Sequence, residues 1–186
     1  MIQEMFPGRV TAIVAASFVG LMSLFNMLGR FFWASTSDFI GRRSTYMVFF
    51  VLGIVLYALV PTFGHIGSIP LFVGAFCVII SMYGGGFSTV PAYLRDIFGT
   101  MEVGAIHGAL LTAWSAAGIL GPVLVNYIRA YQIDHGVPKA QAYSITMYIM
   151  CALLLIGLIC NFAMRAVNSK YHYQAGASAA TPAGSK

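Results

Sequence analysis

Arg30 is the one cation inside the long apolar runs of this chain, and helical spacing puts it on one side with Ser23, Asn26, Trp33 and Ser37. A guanidinium is permanently charged, and its fork grips a carboxylate through two parallel hydrogen bonds. The chemistry such a stripe offers is anion binding. The alternative is a side chain that snorkels along its stem to nearby headgroups. Asn26 lies deeper still, where lipid would give it no partner.

Two further sets of residues could join that cation. Ser81-Met82-Tyr83-Gly84-Gly85-Gly86-Phe87-Ser88 puts three consecutive glycines near the middle of another apolar run, with Tyr83 as a candidate binding residue beside them. Each glycine weakens a helix by roughly 1 kcal/mol relative to alanine, so the run predicts either a bend or a very close helix contact. His107 and Trp114 stand seven residues apart on one helix face, among Gly104, Gly108, Thr112, Ser115, Gly118 and Gly121-Pro122. On a cavity wall, the indole would shield a small organic substrate and the imidazole would donate to it or titrate near neutral pH. Otherwise they are a packed core histidine and an ordinary buried or interfacial tryptophan.

The elements that must position these groups follow from composition. Of 186 residues, 59% are apolar and 8% charged, and mean hydropathy is +0.83. A water-facing surface cannot be covered with so little charge, since soluble domains carry about 25%. The chain belongs in a lipid bilayer. Its net charge of +5 comes from scattered cations, which excludes a nucleic-acid patch. Cys77, Cys151 and Cys160 lie within apolar stretches without metal or disulfide spacing and read as packing residues. No metal site or cofactor is expected.

A membrane-crossing helix needs roughly 20 mostly apolar residues. Five segments qualify: Val10 to Thr36, Tyr46 to Phe63, Pro70 to Leu94, Val103 to Ile128 and Tyr143 to Met164. None alternates as a barrel strand would, so the fold class is an all-α integral membrane protein. The opening residues lack a basic leader and a small-residue cleavage site, so no signal peptide is expected. The connectors are Ser37 to Arg43, Gly64 to Ile69, Arg95 to Glu102 and Arg129 to Gln141. One side collects Arg42, Arg43, Arg95, Arg165, Lys170 and Lys186, the other Arg9, Arg129 and Lys139. The positive-inside rule then places the C-terminus and the Asp38 connector in the cytoplasm. Residues 1–9 form an extracytoplasmic segment, 10–168 the helical bundle, and 169–186 a cytoplasmic tail. From Gln174 to Lys186 that tail is too poor in apolar bulk to fold.

No hydroxyl, imidazole and acid are grouped as a catalytic triad would need, and with no strands there is no phosphate loop, so an enzyme is not expected. Ala34-Ser35-Thr36-Ser37-Asp38-Phe39-Ile40-Gly41-Arg42-Arg43 instead resembles the cytoplasmic signature of the major facilitator superfamily, G-x-x-x-D-x-x-G-R-[RK], with Ala34 in place of the first glycine. It follows Asn26-Met27-Leu28-Gly29-Arg30, a pattern similar to helix 8 of the oxalate/formate antiporter family and the related monocarboxylate carriers. Tyr93-Leu94-Arg95-Asp96-Ile97-Phe98-Gly99 is similar to the loop between helices 10 and 11 of that group. Leu111-Thr112-Ala113-Trp114 with Gly121-Pro122 is similar to helix 11.

The resemblance implies that the five spans are helices 8 to 12 of a carrier for small organic anions, whose first seven helices are absent. The expected partners are a small carboxylate anion, the lipid bilayer, most simply a bacterial inner membrane, and the missing N-terminal helical bundle. In that family Arg30 would be the substrate-binding cation, while Asp38, Gly41, Arg42 and Arg43, joined by Asp96, would form a cytoplasmic conformational latch. Oxalate antiporters carry a lysine on helix 11 where this chain has Trp114, so one cation suits a monocarboxylate such as formate, lactate or pyruvate. Transport would be by alternating access, and the isolated chain would be inactive without the missing part. The competing expectation is a non-transporting membrane subunit that assembles through its glycine-rich faces.

Overall fold

The computed structural model describes residues 2–139, 141–165 and 167. The expected tail, 169–186 with Lys170 and Lys186, lies outside the described residues. Six helices follow in order: α1 (Ile2–Met5), α2 (Ala12–Ile40), α3 (Arg42–Ile66), α4 (Ile69–Phe98), α5 (Val103–Asp134) and α6 (Ser144–Ala163). The last five are each long and apolar enough to cross a membrane, and the described residues contain no strand. This is an all-helical membrane protein.

Helices α2 to α5 outrun the apolar segments that announced them, whereas α6 is one residue shorter at each end than its segment. The 29 residues of α2 extend about 44 Å at 1.5 Å per residue, well past a hydrocarbon core of about 30 Å. Apolarity marks where lipid ends, whereas the hydrogen-bonded spiral continues into the headgroup zone. The expected connector Ser37 to Arg43 therefore shrinks to Gly41, which ends α2 and begins α3. Its φ of +87° explains the residue type, because a side chain in that left-handed region is strained. The neighbouring connector is likewise cut to Gly67 and Ser68, with Gly67 at φ +73°.

The glycine run serves close packing. The helix α4 continues unbroken through it, and α2 lies directly against its glycines. A Cβ on Gly84 would strike the Asn26 carbonyl, one on Gly85 would strike the Trp33 side chain, and one on Gly29 would strike the Ser81 backbone. Small residues let backbones approach where lipid-like interiors supply no hydrophobic drive. On the other side, α3 packs against α6, with Gly53 under Leu154 and Gly157 under Phe50. Helix α5 is seated more loosely, Gln132 being its one buried residue.

Contacts sort the chain ends and connectors into two groups. Arg9 donates to the Gly67 carbonyl at 2.8 Å, and Arg129 and Tyr143 both donate to the Glu4 carboxylate. Phe6 is buried edge-on against Phe72, 5.4 Å between ring centres, so residues 2–10 fold across this end of the bundle. At the opposite end Arg42 lies 4.0 Å from Asp96, and the Val167 amide donates to the Ile97 carbonyl at 3.0 Å.

Candidate functional site

Arg30 stands ten residues, or about 15 Å, before the end of α2 at Ile40. That is farther from the helix terminus than the apolar segment, which ends at Thr36, alone implied. With Ser23, Asn26 and Met27 it lines an open notch of about 240 Å³. Among the described residues no carboxylate pairs with it. Its guanidinium carbon lies 6.0 Å from the centre of the Phe87 ring, within range of a cation–π attraction. The Arg30 carbonyl accepts from the Ser88 hydroxyl at 3.1 Å. One turn earlier, the Asn26 Oδ1 is buried with no hydrogen-bond partner.

Phe87 joins Arg30 to the other candidates. Its ring meets Trp114 edge-on at 4.3 Å, and Tyr83 lies 5.2 Å from the same indole. His107 shares a small hollow, about 30 Å³, with Phe87, Trp114 and Leu111, and its Nδ1 is buried without a partner. The structure thus brings Arg30, Tyr83, His107 and Trp114 around one ring. Sequence reasoning passed over that ring, although Tyr83 and Phe87 are four residues apart and hence neighbours on a helix face.

The polar stripe of α2 divides. Ser23, Asn26 and Arg30 face the notch, whereas Trp33 and Ser37 turn into the bundle. Trp33 donates from Nε1 to the Ser81 hydroxyl at 3.2 Å and packs edge-on against Phe49 at 4.9 Å. Ser37 is 1% exposed. A 29-residue helix that crosses its neighbours changes which face is covered along its length, and spacing alone does not show where.

At the Arg42 end, four of the five expected latch residues meet. Arg42 pairs with Asp38 and donates to the Ser37 hydroxyl, with Asp96 on its other side at 4.0 Å and Gly41 making the turn. Arg43 goes elsewhere, donating to the Phe162 carbonyl at the end of α6 at 2.7 Å. There Tyr93 donates to the buried Asn161 at 2.9 Å. Among the described residues no three His, Cys, Asp or Glu side chains are grouped to hold a metal ion.

A family model, the Major Facilitator Superfamily, matches residues 9–184. The chain is 34% identical over 103 residues to the oxalate:formate antiporter of Oxalobacter formigenes, covering 55% of this chain and 24% of that one. It is 29% identical over 139 residues to apicoplast pyruvate carrier 2 of Toxoplasma gondii, covering 74% and 20%. Against monocarboxylate transporter 14 of Mus musculus the identity is 27% over 109 residues, covering 59% and 18%. The chain therefore spans about a quarter or less of the curated relatives it matches. No solved structure matches it.

Proposed function

The chain belongs to the major facilitator superfamily, and from that premise we propose that it is the C-terminal part, helices 8 to 12, of a secondary transporter of small organic anions, chiefly monocarboxylates. One observation carries the reading: a guanidinium without a carboxylate partner among the described residues, set in a polar notch far from the helix end. A fixed cation in a low-dielectric setting needs a counter-ion, and a mobile carboxylate supplies one. Arg30 would grip it, Asn26 would offer a hydrogen bond, and Tyr83, Trp114 and His107 would wall the chamber. Trp33 would act by holding α2 against α4. Among the described residues Arg30 is the one cation of the cluster, which favours a single carboxylate. The names of two relatives, a monocarboxylate transporter and a pyruvate carrier, support that choice, whereas the oxalate:formate antiporter's name includes a two-headed acid.

Transport would proceed by alternating access, two helical bundles rocking about a shared site. Asp38, Gly41, Arg42 and Asp96 would latch the cytoplasmic end in one state, so that the end bearing residues 2–10 faces outward, across a bacterial inner membrane. The loosely seated α5, where a Cβ on Gly104, Gly108, Gly118 or Gly121 would meet nothing within 4 Å, favours a second reading: a subunit that assembles with partner helices and carries nothing.

One experiment separates the two. In the full-length carrier reconstituted into liposomes, Arg30→Gln should abolish uptake of formate, lactate and pyruvate. Arg30→Lys should lose most of it, because a lysine keeps the charge and lacks the fork. Unchanged uptake by Arg30→Gln would overturn Arg30 as the binding cation, whereas no uptake by the unaltered protein would leave only the assembly reading.

A further inference from the structure

Among the described residues, the ring contacts and side-chain hydrogen bonds that tie α5 to the rest of the chain gather at two places. The inner one is Trp114, edge-on to Phe87 at 4.3 Å and 5.2 Å from Tyr83. The outer one centres on Arg129, fifteen residues or about 22 Å farther along the helix. Its Nε donates to one oxygen of the Glu4 carboxylate at 3.2 Å and its Nη2 pairs with the other. The Tyr143 hydroxyl donates to the first of those oxygens at 2.6 Å, and the Arg129 guanidinium carbon lies 5.8 Å from the centre of that phenol ring. Beside it the Gln132 amide donates to the Ala142 carbonyl at 3.2 Å, in the connector that follows α5 itself. Elsewhere Thr112 and Ser115 donate to carbonyls of their own helix, and a Cβ on Gly118 or Gly121 would meet nothing within 4 Å.

Glu4 offers that helix a fixed point. Ile2, Met5, Phe6 and Val10 around it are buried, the Met5 methyl lies against Gly64, and Arg9 donates to the Gly67 carbonyl at 2.8 Å. Residues 2–10 are thus seated on the α3–α4 end of the bundle. The Arg129 and Glu4 side chains are only 27% and 28% exposed, and a two-oxygen grip of this kind fixes direction as well as distance. Resting on the anion-carrier reading, we propose that Glu4 and Arg129 are positioning residues: their pairing pins the outer end of α5 and, through the helix, sets where Trp114 stands against Phe87 and Arg30. At about 22 Å from Trp114 along α5, the pair does not touch the substrate. Unpinned, α5 tilts about the Trp114–Phe87 contact, and the chamber wall loses its place. Binding sites tolerate little of this, since a displacement of about 1 Å is enough to weaken them steeply.

The test measures uptake of formate, lactate and pyruvate by the full-length carrier in liposomes. Glu4→Gln and Arg129→Gln should each raise KM about three- to tenfold and leave kcat within about twofold. The reversed pair, Glu4→Arg with Arg129→Glu, should bring KM back toward that of the unaltered carrier. A second readout follows Trp114 itself. In carrier labelled with 5-fluorotryptophan, the fluorine resonance that disappears in Trp114→Phe should shift or broaden in either single variant and recover in the reversed pair. An unchanged KM or an unchanged Trp114 resonance in both single variants, whatever their thermal midpoints, makes the pair a structural contact only and overturns the inference while leaving anion binding intact. A reversed pair that folds and stays as impaired as the single variants overturns it too. Should the reversed pair fail to accumulate, Arg129→Lys, which keeps the charge, takes its place and should lie between Arg129→Gln and the unaltered carrier. No uptake by the unaltered carrier overturns the anion-carrier reading and this inference with it.

Discussion

Two adjacent kinds of glycine in one run behave oppositely at the residue scale. Gly84 sits under the Asn26 carbonyl, which is backbone and cannot swing aside, whereas a Cβ on Gly86 would meet nothing within 4 Å. Gly84→Ala should therefore force α2 and α4 apart and cost about 1–3 kcal/mol, the usual range for overpacking. Gly86→Ala should be neutral or stabilise by up to about 1 kcal/mol through helix propensity. Thermal unfolding of the two variants in detergent measures the difference, and equal midpoints would contradict the packing. The sequence offered a bend or a tight contact for this run, and only the position of α2 decides between them. Arg30 itself was legible, because a charge among apolar residues is conspicuous. Phe87 was not, because one more aromatic in a chain with 14 Phe carries no signal until its neighbours are known.

Among elements, the turn at Gly41 places two consecutive arginines on different tasks. Arg42 reaches back along α2 to Asp38 and across to Asp96, while Arg43 reaches the last turn of α6. Asp38 and Asp96 are half exposed or more, so these ion pairs add little to stability, about 0–1 kcal/mol. Arg43 donates a charged hydrogen bond to a helix-end carbonyl and ties α3 to α6, an exposed contact worth about 1 kcal/mol. On the proposed latch role, Arg42→Gln in the full-length carrier should slow uptake with little change in unfolding midpoint, and Arg43→Gln should chiefly lower that midpoint. Uptake rates and thermal melts on the same preparations check both, and a reversed pattern would assign the latch to the wrong arginine. The five spans could be read from sequence because a run of apolar residues is sufficient to define each. The division of labour between Arg42 and Arg43 could not, since the carbonyl that takes Arg43 belongs to Phe162 on α6 and no spacing within one helix points to it.

Over the whole molecule, the end opposite the Arg42 cluster is closed by a three-way contact that joins the start of the chain to the last two spans. The Tyr143 hydroxyl donates to the Glu4 carboxylate at 2.6 Å and Arg129 donates through Nε at 3.2 Å, and together they hold the Glu4 carboxyl below its ordinary value of 4.5. Burial, and then the bond to Glu4, push the Tyr143 phenol above its ordinary 10.0. A carboxyl depressed by folding contributes stability that is full above its unfolded value and lost as pH falls through the lower folded one. A phenol raised by folding contributes below its unfolded value and loses that contribution as pH rises through the higher one. The clasp is therefore at full strength between about pH 5 and pH 9. Glu4→Gln keeps the shape and removes the charge, so its unfolding midpoint should lie below that of the unaltered protein throughout this window. The two should converge as the pH falls well below 4.5, where the unaltered Glu4 is itself protonated. Every other group is common to both proteins, so the difference between the two melting curves isolates Glu4. A gap between the curves that is constant from pH 3 to pH 8 would mean that Glu4 holds residues 2–10 against α5 and α6 by shape rather than by charge.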